Sequence, residues 1–292
     1  MTIKTILAAA SGGSASAGAV ETAFLLAQRL DAHVEAFHVR VDERQALVMY
    51  GDGFGGAPLS GDLMKRVADE AAEAASEARK GFDAAVQRHG MKSRPHPSQP
   101  AFGDGKGSAN WREETGYAPD LIARRARVFD LVVLGRSQRV VDKPHSDTLE
   151  AAVLDSGHAV LIAPVTAEAE FGRSITIGWN GSIESVHALT ASLPLLAQAK
   201  QIDIVTIGEE DEGLGIAAVE HLAWHGIAAA ARMVLPVSGV GPGEQLLSTA
   251  RENGADLLVM GAYAKAPWRE FLFGGATHDV VGTSLMPLLL AH

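Results

Sequence analysis

The sequence contains no cysteine among its 292 residues, and aromatic residues make up only 5% of the chain. Without cysteine the protein has no disulfide, no thiolate metal ligand and no thiol nucleophile. Long apolar runs are also missing. The amino-terminal stretch MTIKTILAAASGGSASAG carries an apolar run of only about six residues, too short for a signal-peptide core or a membrane span. We therefore expect a cytoplasmic protein without a membrane partner.

Clusters of basic residues are absent as well. The formal net charge is -10 and the sequence pI is about 5.5. A nucleic-acid surface needs grouped lysine and arginine side chains that displace counterions from phosphates. We therefore expect no nucleic-acid partner. What the chain does have is 47% hydrophobic residues, enough for two domains that each bury a core.

The chain uses one sequence pattern twice. FDLVVLGRSQRVV, which begins at Phe129, is similar to ADLLVMGAYAKAP, which begins at Ala255. Both halves also open with an apolar strand, a turn rich in small polar residues and an amphipathic helix. Internal similarity of this kind indicates two copies of one structural unit. We predict a first unit over 1–166 and a second unit over 172–292, joined near 165–173.

Each unit alternates short apolar runs with helical periodicity, which is typical of a parallel sheet with helices on both faces. The fold class is therefore α/β, with a five-stranded parallel open sheet in each of two tandem units. The predicted strands lie near 4–10, 33–41, 130–135, 159–164, 174–179, 201–207, 229–236, 256–261 and 287–291. The predicted helices of the first unit lie near 18–30, 62–89, 117–128 and 147–156.

Inserted segments distinguish the first unit from the second. They cover 51–61 and 101–116, and each contains a glycine-rich stretch. The segment 93–100 carries three prolines, which remove backbone donors, so any strand there is predicted to be weak. We predict that the inserted segments are mobile surface loops without contact to a ligand. A lid over a binding site is the alternative.

The terminal strands of the two units, 159–164 and 287–292, are almost entirely apolar. An apolar strand at the edge of a sheet invites pairing with another strand, because its backbone donors and acceptors are open. We therefore predict that the two units pack against each other through these two strands. A further pairing of whole chains, as a homodimer, is also expected.

Several segments resemble the universal stress protein family in its tandem two-domain form. They are WREETG (111–116), IGWNGS (177–182), ADLLVMGAY (255–263) and REFLFGGATHDVV (269–281). The similarity covers nearly the whole chain and is strongest in the second unit. The resemblance implies a stress-response protein with a five-stranded parallel sheet in each unit. It also implies that members that bind ATP do so through a loop of the form G-x2-G-x9-G-[ST] after the fourth strand.

The loop of the second unit follows this form in part. Gly261 matches the first glycine and Gly274 the third, whereas Ala264 replaces the second glycine and Gly275 replaces the hydroxyl residue. Unpaired N–H groups at the start of the following helix, and its positive dipole end, favour a phosphate. The resemblance thus implies a site for ATP, accompanied by Mg²⁺, comprising Trp179, Asn180, Gly181, Gly261, Tyr263, Ala264, Gly274, Gly275, Ala276 and Thr277.

Asn180 has two interpretations that the sequence leaves open. It stands where the family often has an aspartate near the adenosine, and N-G-S is also a strong turn sequence. Trp179 is expected to pack in or beside the core rather than to stack on the adenine. The first unit has no glycine in the stretch that follows Arg136, Ser137 and Gln138, so we expect that unit to bind no nucleotide.

Charged residues after Gly135 do not change this expectation. Arg136, Arg139 and Lys143 are interpreted as a solvated charged loop. No metal site is predicted either. His221 and His225 stand four residues apart on one face of a predicted helix, but no carboxylate follows at a spacing that completes a site, so solvated or packed histidines are expected.

Two other functions stay open. SGGSAS (11–16) resembles the phosphate loop of ATP pyrophosphatases, although Ala15 stands in place of the aspartate of that group. The other alternative is a nucleotide-free universal stress protein that acts through a dimer or another protein partner, and the two departures at 264 and 275 agree with it. No catalytic residue is assigned, and any hydrolysis of ATP is expected to be slow.

Overall fold

The computed structural model describes residues 2–40, 61–94, 107–136, 143–208, 213–262 and 286–292. The strands along these residues are β1 (Thr5–Ala9), β2 (His33–Arg40), β3 (Lys92–Ser93), β4 (Ser108–Thr115), β5 (Leu131–Gly135), β6 (Ala159–Ala163), β7 (Ser174–Gly178), β8 (Gln201–Ile207), β9 (Ala230–Val234), β10 (Leu257–Gly261) and β11 (Leu288–Ala291). The helices are α1 (Gly13–Leu30), α2 (Gly61–His89), α3 (Ala118–Ala126), α4 (Lys143–Asp155), α5 (Ile183–Leu196), α6 (Gly213–Trp224) and α7 (Pro242–Glu252). None of the described helices is long and apolar enough to cross a membrane.

All described strands belong to one sheet, in the order β3-β4-β2-β1-β5-β6-β11-β10-β7-β8-β9. Strands β1 to β6 of the first unit pair in parallel, and so do strands β7 to β11 of the second. The two runs meet where β6 and β11 pair antiparallel, with Leu288 opposite Ile162 and Leu290 opposite Val160. The α/β class and the contact between the two terminal strands are therefore confirmed.

One segment differs from the sequence prediction. Residues 108–115, assigned above to a mobile inserted loop, form strand β4, which pairs with β2 along its whole length. The prediction failed because SANWREET looks polar: its first two residues are buried, whereas the second half runs along an exposed edge. The first unit thereby has one strand more than predicted. Residues 51–60 and 101–106 of the predicted loops lie outside the described residues.

The apolar core has two layers, one on each face of the sheet. Neighbouring residues of a strand point to opposite faces, and Ile6 and Leu7 of β1 accordingly enter different clusters. Each cluster contains residues of both units, such as Phe24 with Ile177 on one face. The core is therefore continuous across the β6–β11 junction, and burial on both faces explains the unbroken apolar runs in the sequence.

An aspartate fixes the start of the first strand in each unit. Asp130, just before β5, accepts hydrogen bonds from the backbone N–H groups of Lys4 and Thr5, both at 2.8 Å. Asp256, just before β10, accepts from the backbone N–H groups of residues 172–174 at 2.9 to 3.0 Å. The shared aspartate of FDLVV and ADLLV is therefore a structural residue in both units.

Arg136 is buried, and its interpretation as part of a solvated loop is wrong. The side chain is 4% exposed, and its Nη2 donates to the carbonyl of Met286 at 2.9 Å, across the junction between the units. Burial, with a smaller effect from the charge of Arg251, lowers the pKa of Arg136 to about 10. The arginine therefore links the first unit to the second. Arg139 and the side chain of Lys143 lie outside the described residues.

Candidate functional site

The candidate site lies at the carboxyl ends of β7 and β10. In the order β9-β8-β7-β10-β11 the connections after these two neighbouring strands leave in opposite directions, which opens the crevice where ligands of such sheets bind. Gly178 pairs with Met260, so the strand ends are adjacent. The fold thus brings together Trp179, Asn180, Gly181 and Gly261. The other predicted site residues, Tyr263, Ala264, Gly274, Gly275, Ala276 and Thr277, lie outside the described residues.

Gly261 is required by the packing of α5 on the end of β10. A Cβ atom at this position would lie 2.6 Å from the backbone nitrogen of Ser185 and 2.7 Å from the carbonyl carbon of Glu184. Gly135 ends β5 in the first unit, and a Cβ there would lie 2.1 Å from the carbonyl oxygen of Ala15. Because the first unit lacks the later glycines, this glycine alone does not indicate a phosphate site.

Asn180 forms the turn that starts α5. Its Oδ1 accepts a hydrogen bond from the backbone N–H of Ser182 at 3.1 Å, and Gly181 between them has a φ of +70°. Ser182 in turn caps the helix, since its Oγ accepts from the N–H of Ser185 at 3.3 Å. Asn180 is exposed, and its amide nitrogen makes no hydrogen bond within the described residues. The turn interpretation is therefore correct, and a donor is left for a ligand.

Trp179 packs as expected from the sequence. Its side chain is half-buried against the core, and its Nε1 donates to the carbonyl of Leu214 at 3.0 Å. This bond ties the first turn of α6 to the end of β7. The side chain of Leu214 also lies close to Gly181, where a Cβ would be 2.8 Å from its Cδ2.

Glu184 lies in the first turn of α5, and its Cβ would be 2.8 Å from a Cβ at Gly261. The sequence analysis did not single it out. Burial acts to raise the pKa of this carboxyl. Hydrogen bonds from its own backbone amide and from Ser182, with the charges of His292 and His187, act in the opposite direction, and the pKa lies below its ordinary value. The site therefore contains an ionised carboxylate, which repels a bare phosphate and attracts a divalent cation. An acidic residue in the first turn after IGWNGS was the available sequence signal.

The equivalent crevice of the first unit is closed by protein. A Cβ at Gly12, after β1, would lie 2.7 Å from the carbonyl oxygen of Ala74 on α2. His38, two residues before the end of β2, is buried. Its Nδ1 lies 2.6 Å from the carbonyl oxygen of Ala10, and its ring stacks on Trp111 with centroids 5.8 Å apart. Side chains of β2 and β4 and the backbone of α2 thus fill the space above β1.

A cavity of about 430 Å³ lies beside the SGGSAS segment of the first unit. Its wall includes Gly12, Gly13 and Ser16, together with Glu21 and Glu77 and the guanidinium of Arg88. Arg88 is paired with Glu21, so the wall carries no unpaired positive charge from this arginine. The carboxylates of Glu21 and Glu77 repel a triphosphate. The charges of this cavity therefore do not support an ATP pyrophosphatase.

Comparison with known proteins identifies the family. Residues 187–292 match the model of the universal stress protein family. The second unit belongs to the universal stress protein family. Among proteins with curated functions, none matches this sequence.

Solved structures share the fold over both units. A universal stress protein from Archaeoglobus fulgidus DSM 4304 superposes with a TM-score of 0.64 at 13% identity, covering 98% of this chain and 97% of that one. A functionally unknown protein from Pseudomonas aeruginosa PAO1 has a TM-score of 0.51 at 15% identity and covers 99% of this chain and 92% of its own. At these identities the likeness shows that the whole chain has the universal stress protein fold.

Proposed function

We propose that this universal stress protein binds an adenine nucleotide, ATP with Mg²⁺, in its second unit. The observation that supports the proposal is the contrast between the two crevices. In the second unit Asn180 and Gly181 are exposed at the strand ends, and a side chain, that of Leu214, lies against the turn. In the first unit the backbone of α2 at Ala74 lies against the equivalent turn.

In this proposal the amide nitrogen of Asn180 contacts the nucleoside. Backbone N–H groups of the loop from Gly261 to Thr277 hold the phosphates, as helix N-termini and glycine-rich loops do elsewhere. The ionised carboxylate of Glu184 favours a nucleotide that carries a divalent cation. Nucleotide binding is proposed as part of a stress response, and no catalytic residue is assigned.

Thermal unfolding with and without MgATP tests the proposal. Nucleotide at about 100 times its dissociation constant stabilises the folded protein by roughly 2.7 kcal/mol, which gives a measurable rise in Tm. Gly274→Val places a branched side chain where the phosphate approaches, and the rise is expected to disappear. Gly81→Val is the matched control, because a Cβ at Gly81 on α2 meets no atom within 4 Å. Loss of the rise in Gly81→Val instead would place the nucleotide in the cavity of the first unit.

A nucleotide-free protein that acts through partner contacts is the second candidate function. It is favoured by apolar side chains on α5 next to the crevice: Ile183 is 70% exposed and Val186 is 43% exposed. Exposed apolar groups close together are typical of contact surfaces. In this case MgATP produces no change in Tm in the parent protein, and light scattering reports a homodimer that Ile183→Ser weakens.

A further inference from the structure

Two histidines stand together in the second unit, outside the candidate site described above. His221 lies in the last turn of α6, and His225 follows the end of that helix by one residue. Their ring centroids are 4.9 Å apart, with an angle of 65° between the planes. Both side chains are exposed. Neither ring has a hydrogen-bond partner within the described part of the chain.

The spacing and the surroundings fit a metal ion. Side chains four residues apart on a helix share one face, which allows two imidazoles to hold one ion, as the histidines of helical zinc sites do. The sequence interpretation was of solvated or packed histidines. The structure shows that the rings are solvated and that each has the other as its neighbour, so no contact has to be broken before an ion binds.

The helix itself supplies no further ligand. Ala217 occupies the position one turn before His221, and Gly226, with a φ of +72°, ends the helical path after His225. No group of three or more histidine, aspartate or glutamate side chains that could hold an ion occurs among the described residues. An ion bound by two imidazoles therefore completes its coordination with water. The formal net charge of -10 raises the local concentration of cations.

We propose that His221 and His225 chelate one divalent transition-metal ion on the outer face of α6. Imidazole pairs favour Cu²⁺ over Ni²⁺ and other first-row ions, following the general order of stability of such complexes. Mg²⁺ and Ca²⁺, which prefer oxygen ligands, are not expected to bind here. The site is separate from the proposed nucleotide site and does not depend on it.

One of the three residues between the two histidines, Trp224, can report on metal binding. Trp224 is 90% exposed and precedes His225 directly, so a bound Cu²⁺ ion is expected to quench its fluorescence. Titration of the full chain with CuCl₂, followed by fluorescence and by calorimetry, measures the affinity. His221→Asn and His225→Asn are each expected to weaken Cu²⁺ binding by on the order of 100-fold, because each removes the chelate effect of two linked ligands.

Two control variants separate the site from other histidines and from the reporter. His158→Asn removes a partly exposed histidine of the first unit and is expected to leave the Cu²⁺ affinity unchanged. Trp224→Phe is expected to abolish most of the quenching while calorimetry still reports one ion per chain. The electron paramagnetic resonance spectrum of the Cu²⁺ complex is expected to show coupling to imidazole nitrogens.

The proposal is overturned if either single histidine variant keeps the affinity of the parent protein. It is also overturned if the resonance spectrum shows no nitrogen coupling, since the ion then sits on oxygen ligands elsewhere. Because both histidines are exposed, the variants are expected to keep the parent circular dichroism spectrum, and a change in affinity then reports on the ligands themselves.

Discussion

The two units of this chain share their supporting residues and differ in what lies above their strand ends. β5 of the first unit and β10 of the second unit each end with a glycine, because a helix packs directly on it. The aspartate before β5 accepts hydrogen bonds from the backbone at the start of β1, and the aspartate before β10 does the same for β7. The crevices nevertheless differ in the described residues, since the α2 backbone lies against the turn of one and the side chain of Leu214 lies against the turn of the other. Residues that occur in both units therefore stabilise the shared fold. Whether a unit can bind a ligand depends on the elements that cover its strand ends.

Helix length accounts for much of this difference. The first described helix after the second strand has 29 residues in the first unit and 12 in the second. The buried side of α2 includes Ala75, Ala78 and Phe82, and this packing brings its carbonyl groups down onto the turn after β1. At the equivalent Gly181 of the second unit, the only described atom within 4 Å of an added Cβ is Cδ2 of Leu214, on the shorter α6.

The largest effect is expected from the two packing glycines. Gly135→Ala and Gly261→Ala each force a Cβ to within 2.1 to 2.6 Å of backbone atoms of a helix. Because backbone cannot yield as a flexible side chain does, each change is expected to destabilise the protein by about 3 kcal/mol or more, measured by urea unfolding. Gly208→Ala serves as the control, since a Cβ there meets no atom of the described residues within 4 Å. A small effect at Gly261 would break the equivalence of the two units.

A buried ion pair distinguishes the first unit from the second. Glu35 on β2 accepts bidentate hydrogen bonds from Arg125 at 2.6 and 2.8 Å, whereas Asp203, at the equivalent position of β8, bonds the side chain of Gln201 at 2.7 Å. Arg125→Met leaves the buried carboxylate without its charged partner, with only the hydrogen bond from Asn110 Nδ2 at 3.1 Å, and is expected to cost about 3 kcal/mol. Gln201→Met removes a hydrogen bond from a partly open site and is expected to cost about 1 kcal/mol. Equal losses in urea unfolding would contradict the distinction.

The aspartates that hold the first strands are expected to matter equally. Asp130→Asn and Asp256→Asn each remove the charge from a carboxylate that accepts hydrogen bonds from several N–H groups. Each is expected to lower the free energy of unfolding by about 2 kcal/mol. Asp83→Asn is the control, because Asp83 is exposed and pairs with Arg79 one helical turn away, a contact worth about 0.5 kcal/mol or less. Unequal losses at 130 and 256 would show that the junction with the other unit supports one of them.

Apolar periodicity made most of the fold predictable from the sequence, because strands buried on both faces and amphipathic helices have distinct patterns. Prediction failed where charged residues stand on an exposed edge strand or in a buried place. β4 was missed because its edge position allows Arg112 and Glu113 on a strand, and Arg136 was misplaced because its burial depends on the partner unit. At the candidate site, the 179–181 turn and Gly261, which the sequence analysis grouped together, lie at the ends of neighbouring strands. The sequence did not reveal that the glycine serves helix packing, since a packing glycine and a ligand glycine look alike.

The smallest expected effect concerns Trp179 and decides between packing and adenine stacking. Trp179→Phe keeps an aromatic ring against the core and removes the hydrogen bond from Nε1 to the carbonyl of Leu214. A loss of about 1 kcal/mol in urea unfolding is expected. The rise in Tm on addition of MgATP is expected to stay as in the parent protein, because the indole holds α6 rather than the base. If that rise were lost while stability fell by only this amount, the indole would be part of the nucleotide site. The contrast between the two crevices would then extend to the side chains that line them.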